Sequence, residues 1–243
     1  MTWKHAFALG GCVLAAGCGP YIDEVVKERG PRVEQKLALV KGVGEVLGKT
    51  PLLEKDEPAD STASFNLSSG TPTPTNAALV YAEDLRDLDE LGLVYARVDG
   101  SGLVSTCSAF VHTERYPWDP VHPERAPTSG TGYTAGKHFD VCEKLETLFV
   151  LRTRAFLRPS VGRVSESAGR QEFDGGLIDA DLLVFDLAQK RKVAGLRVKA
   201  ESDEKLDGAT EREVEFDLQW NLQKAVTAAL KQHMPKVTVV GGS

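Results

Sequence analysis

The spacing of hydrophobic positions divides the first third of the chain into two segments. Apolar residues recur at spacings of four, three and seven between Val33 and Leu47, which predicts a helix over about 31–47 with Pro31 in its first turn. The following residues, 50–76, are rich in Pro, Ser, Thr and Gly. This composition is typical of a flexible linker biased toward extended conformations, which would span roughly 30 Å on average.

Short apolar segments separated by turn signals follow from residue 77 onward. They are enriched in Val, Leu, Phe and Tyr, which is typical of β-strands. The tetrapeptide DGSG at 99–102 indicates a tight hairpin, and AQKRK at 188–192 indicates a longer one. Because hairpins join antiparallel neighbours, the pattern predicts a largely antiparallel sheet. The predicted strands cover 77–81, 91–98, 103–112, 145–157, 177–187 and 192–202.

A four-residue apolar repeat marks the end of the chain. It runs from Val214 to Leu230 and predicts an amphipathic helix from about Asp217 to His233, ended by Pro235. A sheet with one apolar face needs such a helix to cover that face. The C-terminal helix is therefore expected to pack on the sheet.

The last predicted strand agrees with this arrangement. Leu196 and Val198 alternate with charged residues such as Arg197, which gives the strand one buried face and one solvated face. A further short helix is predicted at 82–91. The fold class that follows is α+β, a largely antiparallel β-sheet packed by a C-terminal amphipathic helix and preceded by a helix and a flexible linker.

The N-terminal residues have the layout of a secretory signal. Met1–His5 is polar with one lysine, and the uncharged stretch Ala6–Gly17 ends in small residues before Cys18. A membrane-spanning helix needs roughly 20 apolar residues, and Asp23 lies too early in the chain to allow that length. The sequence therefore predicts a cleaved signal rather than a lasting transmembrane helix.

The segment LAAGC, which ends at Cys18, resembles the lipobox of bacterial lipoproteins. In that family the cysteine receives a diacylglycerol thioether and the signal peptide is removed just before it, which implies lipidation of Cys18. Cys12, after LGG, is a second candidate, but it would leave an apolar region of only about seven residues. The domain boundaries that follow are a signal peptide at 1–17, a membrane-proximal tether at 18–76 and a globular domain at 77–243.

The resemblance also implies a location. Two or more acyl chains hold a protein firmly on a bilayer, so the mature chain is expected in the bacterial cell envelope on a lipid anchor. In that family, a residue other than aspartate after the acceptor, here Gly19, favours the outer membrane. The membrane is thus one predicted partner, and a protein or envelope component is the second.

Two cysteines remain once the signal is removed and Cys18 is lipidated. An even pair in an oxidising compartment predicts a disulfide between Cys107 and Cys142. Such a bond would close a loop of about 35 residues and stabilise the fold by roughly 4 kcal/mol in the chain-entropy model. The alternative is a pair of buried free thiols.

The segment 112–142 contains the side chains best suited to a site. Histidine and carboxylate groups can bind zinc, but the histidine spacings match no compact metal module, so metal binding is the lesser interpretation. Aromatic residues among prolines and glycines favour an interaction surface instead. The metal candidates are His112, His122 and His138, and the interaction candidates are Tyr116, Trp118 and Tyr133.

Familiar catalytic and nucleotide-binding motifs do not fit the chain. KGVGEVLGKT at 41–50 has the wrong glycine spacing for a phosphate-binding loop, and SDEK at 202–205 lacks the companion motifs of penicillin-recognising enzymes. The 29 basic and 35 acidic residues are interspersed, which argues against nucleic-acid binding.

The sequence predicts no cofactor and favours a non-enzymatic binding or assembly lipoprotein. The alternative is an envelope hydrolase or a metal-binding protein that uses the 112–142 segment. In the hydrolase interpretation, His122 or His138 and a neighbouring carboxylate would act as acid and base.

Overall fold

A four-stranded sheet lies between two long helices. The computed structural model describes residues 22–59, 62–66, 75–83, 85, 136, 139–165, 170–203 and 211–240. The helices are α1 (Ile22–Leu47) and α2 (Glu211–His233), with a short helix at 139–143. The strands are β1 (Ser64–Asn66), β2 (Ala77–Tyr81), β3 (Thr147–Leu157), β4 (Ser160–Ser165), β5 (Arg170–Asp174), β6 (Leu177–Asp186), β7 (Arg191–Glu201) and β8 (Thr238–Val240).

The strand order in the main sheet is β2-β3-β6-β7. Strand β6 runs antiparallel to both β3 and β7, whereas β2 is parallel to β3. A parallel pair needs a long connection, and residues 82–146 separate these two strands. The largely antiparallel sheet and the α+β class predicted from the sequence are confirmed. Two small additional pairs, β1 with β8 and β4 with β5, accompany the main sheet.

Both faces of the main sheet carry a buried apolar core. On the face covered by α2, here the α2 face, Leu182 of β6 belongs to one core with Leu222 and Val226 of the four-residue repeat. On the opposite α1 face, Val40 and Val43 pack with strand residues. The sheet residues of that second core include Ala78, Val80, Leu148, Val150, Leu183 and Phe185.

Four predicted strands and the C-terminal helix are present near their predicted positions. The predicted strands 77–81, 145–157, 177–187 and 192–202 correspond to β2, β3, β6 and β7, and AQKRK forms the hairpin between the last two. Helix α2 begins at Glu211, six residues before its predicted start. The predicted strands 91–98 and 103–112, the turn 99–102 and most of the predicted helix 82–91 lie outside the described residues.

Helix α1 is longer than the apolar pattern predicts. It begins at Ile22, so Pro31 lies inside the helix rather than in its first turn. Proline removes one helical hydrogen bond, but Val25 and Val33 on either side of it are both buried. Burial of this helix side favours continuation through the proline. The segment that mimics a phosphate-binding loop forms the end of α1, as predicted.

The predicted flexible linker is packed against the sheet over residues 50–59. Leu53 is only 2% exposed, and the backbones of Glu57 and Gly195 exchange two hydrogen bonds of 2.7 and 2.9 Å. We refer to residues 50–57 as the strap. Farther along, Ala63 is buried in the α2-face core and β1 pairs with β8. The described parts of 18–76 therefore belong to the sheet domain and do not form a separate tether.

Candidate functional site

The α1 face changes from apolar to charged halfway along the strands. Helix α1 ends at Leu47, and the next row of sheet residues brings Arg152 of β3, Asp181 of β6 and Arg197 of β7 into register. Side chains two residues apart in a strand share a face, so Asp179 and Lys199 continue the charged surface on the row beyond. The strap crosses this charged half.

Asp181 is the centre of the charged half. Its carboxylate is fully buried, and Arg152 and Arg154 each contact one of its oxygens, at 2.8 Å to Oδ2 and 3.1 Å to Oδ1. The backbone N–H of Leu53 also donates to Oδ2, at 3.3 Å. A buried carboxylate is tolerated when charges and hydrogen bonds compensate its lost hydration, and these three donors provide that compensation.

The two arginines connect the sheet to the strap. Arg152 donates to the carbonyl oxygens of Thr50 and Pro51 at 2.6 and 2.7 Å, and Arg154 donates to that of Leu53 at 2.7 Å. In a helix most carbonyl oxygens already accept a backbone hydrogen bond. An extended segment leaves its carbonyls free, so the strap can accept hydrogen bonds from these part-buried arginines where a longer α1 could not.

Leu53 anchors the strap by its side chain as well as by its backbone. It lies directly above Gly195 of β7, where a Cβ atom would be only 2.8 Å from Leu53 Cδ1 and 2.9 Å from Cδ2. A glycine is therefore required at position 195 for this close approach. Gly195 thus leaves room for the Leu53 side chain beside the charged residues of the sheet.

An open pocket of about 490 Å³ lies where the strap meets β6 and β7. The backbone N–H of Arg197 donates to Asp56 Oδ1 at 2.7 Å, which fixes the strap along β7. The guanidinium of Arg197 is 3.6 Å from Asp179, and its side chain remains 46% exposed. The pocket is lined by Glu54, Lys55, Asp56, Asp179, Arg197, Val198 and Lys199.

The pocket presents charges of both signs to solvent. Three of its lining residues have carboxylates and three have cationic side chains. The Lys199 side chain is 61% exposed and pairs with Glu201 of its own strand at the surface. Partly exposed ion pairs exchange partners at little cost, so this arrangement can bind a polar ligand or segment that bears charge.

A second polar cluster lies where β7 approaches α2. Asp217 Oδ2 accepts a hydrogen bond of 2.7 Å from the backbone N–H of Asp203, and Asn221 donates to the Glu201 carbonyl at 2.9 Å. Burial raises the pKa of the Asp217 carboxyl, and the nearby Asp203 carboxylate raises it further, although the backbone hydrogen bond acts in the opposite direction. This cluster joins α2 to the end of the sheet.

A third charged cluster fixes the first half of α1. Arg29 contacts Asp140 at 2.7 Å and Glu143 at 3.0 Å, and Arg32 contacts the same Glu143 oxygen at 3.0 Å. Burial of Glu143 acts to raise its carboxyl pKa, but the hydrogen bonds from both arginines outweigh burial and lower it. The hydrogen bond to Glu143 is likewise the main cause of the raised pKa of Arg29.

The residues selected from the sequence are mostly outside the part of the chain that the structure describes. Cys142 is buried in the short helix. Its predicted partner Cys107 is not among the described residues, so the pairing of these two cysteines stays a prediction. Also outside the described residues are Cys12, Cys18, His112, Tyr116, Trp118, His122, Tyr133 and His138.

The sequence predicted the charged face of β7 alone and did not predict that β3 and β6 extend it, although a signal for this was present. The strands contain the tripeptides Arg-Thr-Arg at 152–154, Asp-Ala-Asp at 179–181 and Arg-Val-Lys at 197–199. Charges that alternate with uncharged residues in adjacent strands share one face of a sheet. With the strand order known, the three tripeptides predict complementary charge on neighbouring strands.

Comparison with protein families, with curated proteins and with solved structures finds no match to this chain. Within the described ranges, no three histidine, cysteine or carboxylate side chains are placed to hold a metal ion. None of the described helices is both long enough and apolar enough to cross a membrane.

Proposed function

We propose that this chain is a lipid-anchored bacterial cell-envelope protein that acts by binding a charged segment of an envelope partner. The observation that carries the binding function is the open pocket beside the strap, with carboxylate and cationic side chains around its opening. The lipobox-like segment that ends at Cys18 supports the anchor and the location in the envelope.

The chemistry of the pocket favours a polar partner over an apolar ligand. The side chains of Arg197 and Lys199 are 46% and 61% exposed, so their charges remain available to a partner. The pocket is open to solvent and only one of its lining residues, Val198, is apolar. Charges of both signs on one surface favour a segment with the complementary charge pattern, because a mismatched pattern is repelled.

The anchor is tested by metabolic labelling with a fatty-acid analogue in bacteria that express the full chain. We expect the chain to be labelled and to fractionate with membranes, and the Cys18→Ser variant to lose both properties. The matched control is Cys12→Ser, which should leave labelling unchanged. Equal labelling of the Cys18→Ser variant would contradict the proposed anchor.

Binding is tested by site-specific photocrosslinking in intact cells. A photoreactive amino acid at Lys199, in the pocket, should give a discrete adduct, whereas the same amino acid at Lys231, an exposed lysine of α2, should not. Charge reversal at Arg197 (Arg197→Glu) should reduce the Lys199 adduct. Adducts of equal yield from both positions, or none from Lys199, would contradict a binding role for the pocket.

A further inference from the structure

Very few residues separate the proposed lipid from the folded domain. Helix α1 begins at Ile22, and only Gly19, Pro20 and Tyr21 lie between it and Cys18. A chain extends by at most about 3.6 Å per residue, so the Cα atoms of Cys18 and Ile22 are at most about 14 Å apart whatever the path between them. A lipid on Cys18 would therefore hold the start of α1 at the bilayer surface.

Helix α1 is braced at the one place where it would bend most easily. Pro31 removes a helical hydrogen bond, and such positions are common sites of kinks. The arginines on its two sides, Arg29 and Arg32, both donate to the same Oε1 atom of Glu143, at 3.0 Å each. This shared carboxylate ties the two segments that flank the proline to one point on the short helix.

The middle of α1 lies at the end of the sheet opposite the pocket, and the first half of the helix precedes it. Lys36 Nζ donates to the Leu145 carbonyl at 2.7 Å, just before β3 begins, and Gly42 packs against Lys190 in the β6–β7 turn. The β7 strand starts beside that turn at Arg191 and reaches the pocket at Lys199. At about 3.3 Å per residue, these two positions are roughly 26 Å apart along the strand.

We propose that α1 is a stiff spacer that presents its N-terminal end to a phospholipid bilayer and turns the charged pocket away from it. This inference rests on the proposed lipid anchor. In this orientation the start of α1 lies at the lipid surface, and the pocket at the far end of β7 faces the space beyond the membrane. The partner's charged segment would then meet the pocket at a fixed height above the lipid surface.

The orientation is tested by energy transfer from the protein to the membrane. The lipidated full chain is reconstituted into vesicles of phosphatidylethanolamine and phosphatidylglycerol that contain a trace of headgroup-labelled acceptor lipid. A fluorescent amino acid replaces either Glu28, exposed near the start of α1, or Lys199 in the pocket. We expect transfer several-fold more efficient from position 28 than from position 199.

Two insertions test whether α1 holds the domain at a fixed distance from the membrane or whether position 28 is simply close to it. A flexible Gly-Ser segment inserted between Gly19 and Pro20 should lower transfer from position 28 toward that from position 199, because the domain is then free to leave the surface. The same segment added after Ser243 should change neither value. Equal transfer from the two positions, or no effect of the first insertion, would overturn the spacer.

The spacer and the lipid anchor can fail separately. If the cellular protein has no lipid, the full chain with Cys12→Ser is coupled through Cys18 to a maleimide lipid in the same vesicles. Much more efficient energy transfer from position 28 than from position 199 would then support the spacer geometry, although the proposed lipid anchor would be wrong. Equal transfer in the coupled protein would overturn the spacer.

Discussion

The two faces of the main sheet are covered in different ways. The α2 face is apolar along β6 and β7 and is covered by a helix with an apolar residue every four positions. The α1 face is apolar only near the start of β3, and the strap covers the part where charged residues begin. Where helix gives way to strap on this face, the sheet side chains in contact with the covering segment change from apolar groups to a buried carboxylate and two part-buried guanidinium groups.

The difference follows from what each covering segment can offer. A helix presents side chains and keeps its backbone hydrogen bonds internal, which suits an apolar surface. The strap presents backbone groups as well, and Arg152, Arg154 and Asp181 use them. The pocket lies at the end of the strap, where this segment no longer covers the sheet. A partner would therefore contact charged side chains that remain partly exposed.

Loss of the buried carboxylate should have the largest effect. Asp181→Ala leaves two arginines without their buried counterion, and removal of one partner from a buried ion pair costs about 4 kcal/mol. Chemical denaturation measures this cost, and hydrogen exchange should show loss of protection over residues 50–57. The control is Asp179→Ala on the same strand, which breaks a part-exposed pair and should cost at most about 1 kcal/mol. Equal costs would show that the charged half has no buried centre.

A cavity on the α2 face should have the next largest effect. Leu222→Ala removes a side chain that is 1% exposed and should destabilise the protein by about 3 kcal/mol, because the apolar core cannot close the cavity completely. The strap should keep its hydrogen-exchange protection under native conditions. Lys231→Ala, on the exposed side of the same helix, should change stability by less than about 0.5 kcal/mol. Selective loss of strap protection in Leu222→Ala would contradict the separation of the two faces.

A methyl group under the strap should have an intermediate effect. Gly195→Ala places a Cβ atom within 2.9 Å of both Leu53 methyl carbons, and the resulting overpacking should cost about 2 kcal/mol. The double variant Gly195→Ala with Leu53→Ala should be less destabilised than the sum of the two single changes, since Leu53→Ala removes the clash. Additive costs in this double-mutant cycle would show that Leu53 does not rest on Gly195.

The smallest effect is expected at Asp217. Burial and Asp203 raise the pKa of this carboxyl, so its ionisation opposes folding and stability falls as the pH rises through that pKa. Asp217→Asn removes this loss and should be more stable than the wild type at pH 7 by at most about 0.5 kcal/mol, because solvent screens a part-exposed site. Denaturation below the ordinary aspartate pKa of about 3.9 should show no gain.

Glu143→Gln is a control with the opposite sign of pH dependence. Despite its burial, the hydrogen bonds from Arg29 and Arg32 lower the Glu143 pKa, so its ionised form stabilises the fold above the ordinary glutamate pKa of about 4.3. This variant should be less stable than the wild type at pH 7, and the deficit should disappear as the pH falls through the lowered pKa. The same pH trend in both variants would contradict one of the two assignments.

The sequence predicted the elements whose signal is local and long. The apolar repeat from Val214 to Leu230 and the strand pair joined by AQKRK were both recognised, because periodicity and turn chemistry act over a few residues. The packing of the strap was not predicted. A segment rich in Pro, Ser and Thr rarely forms a helix or a strand, but this composition does not indicate where the segment packs. Its structure depends on arginines about 100 positions away, for example the pair Arg152 and Thr50.

The short pair β1–β8 was missed for a related reason. Strands β1 and β8 have three residues each, and they pair across more than 170 positions, from Ser64 to Thr238. The candidate pocket was missed because its residues lie in three separate segments that no motif connects. The alternating charges in β3, β6 and β7 became informative only once the strand order was known.

The sequence by itself determined the α+β class, the C-terminal helix and the strands that carry their own apolar pattern, because these depend on residues that are neighbours in the chain. Tertiary structure decided that the sheet is covered on both faces, that α1 continues through Pro31 and that the strap lies over Asp181. Those features are stabilised by groups that meet only after folding: arginines with distant carbonyls, Leu53 with Gly195, and one glutamate with two arginines. These features are stabilised by the burial of apolar groups and by the pairing of buried charges with distant partners. A local pattern of residues cannot predict either contribution.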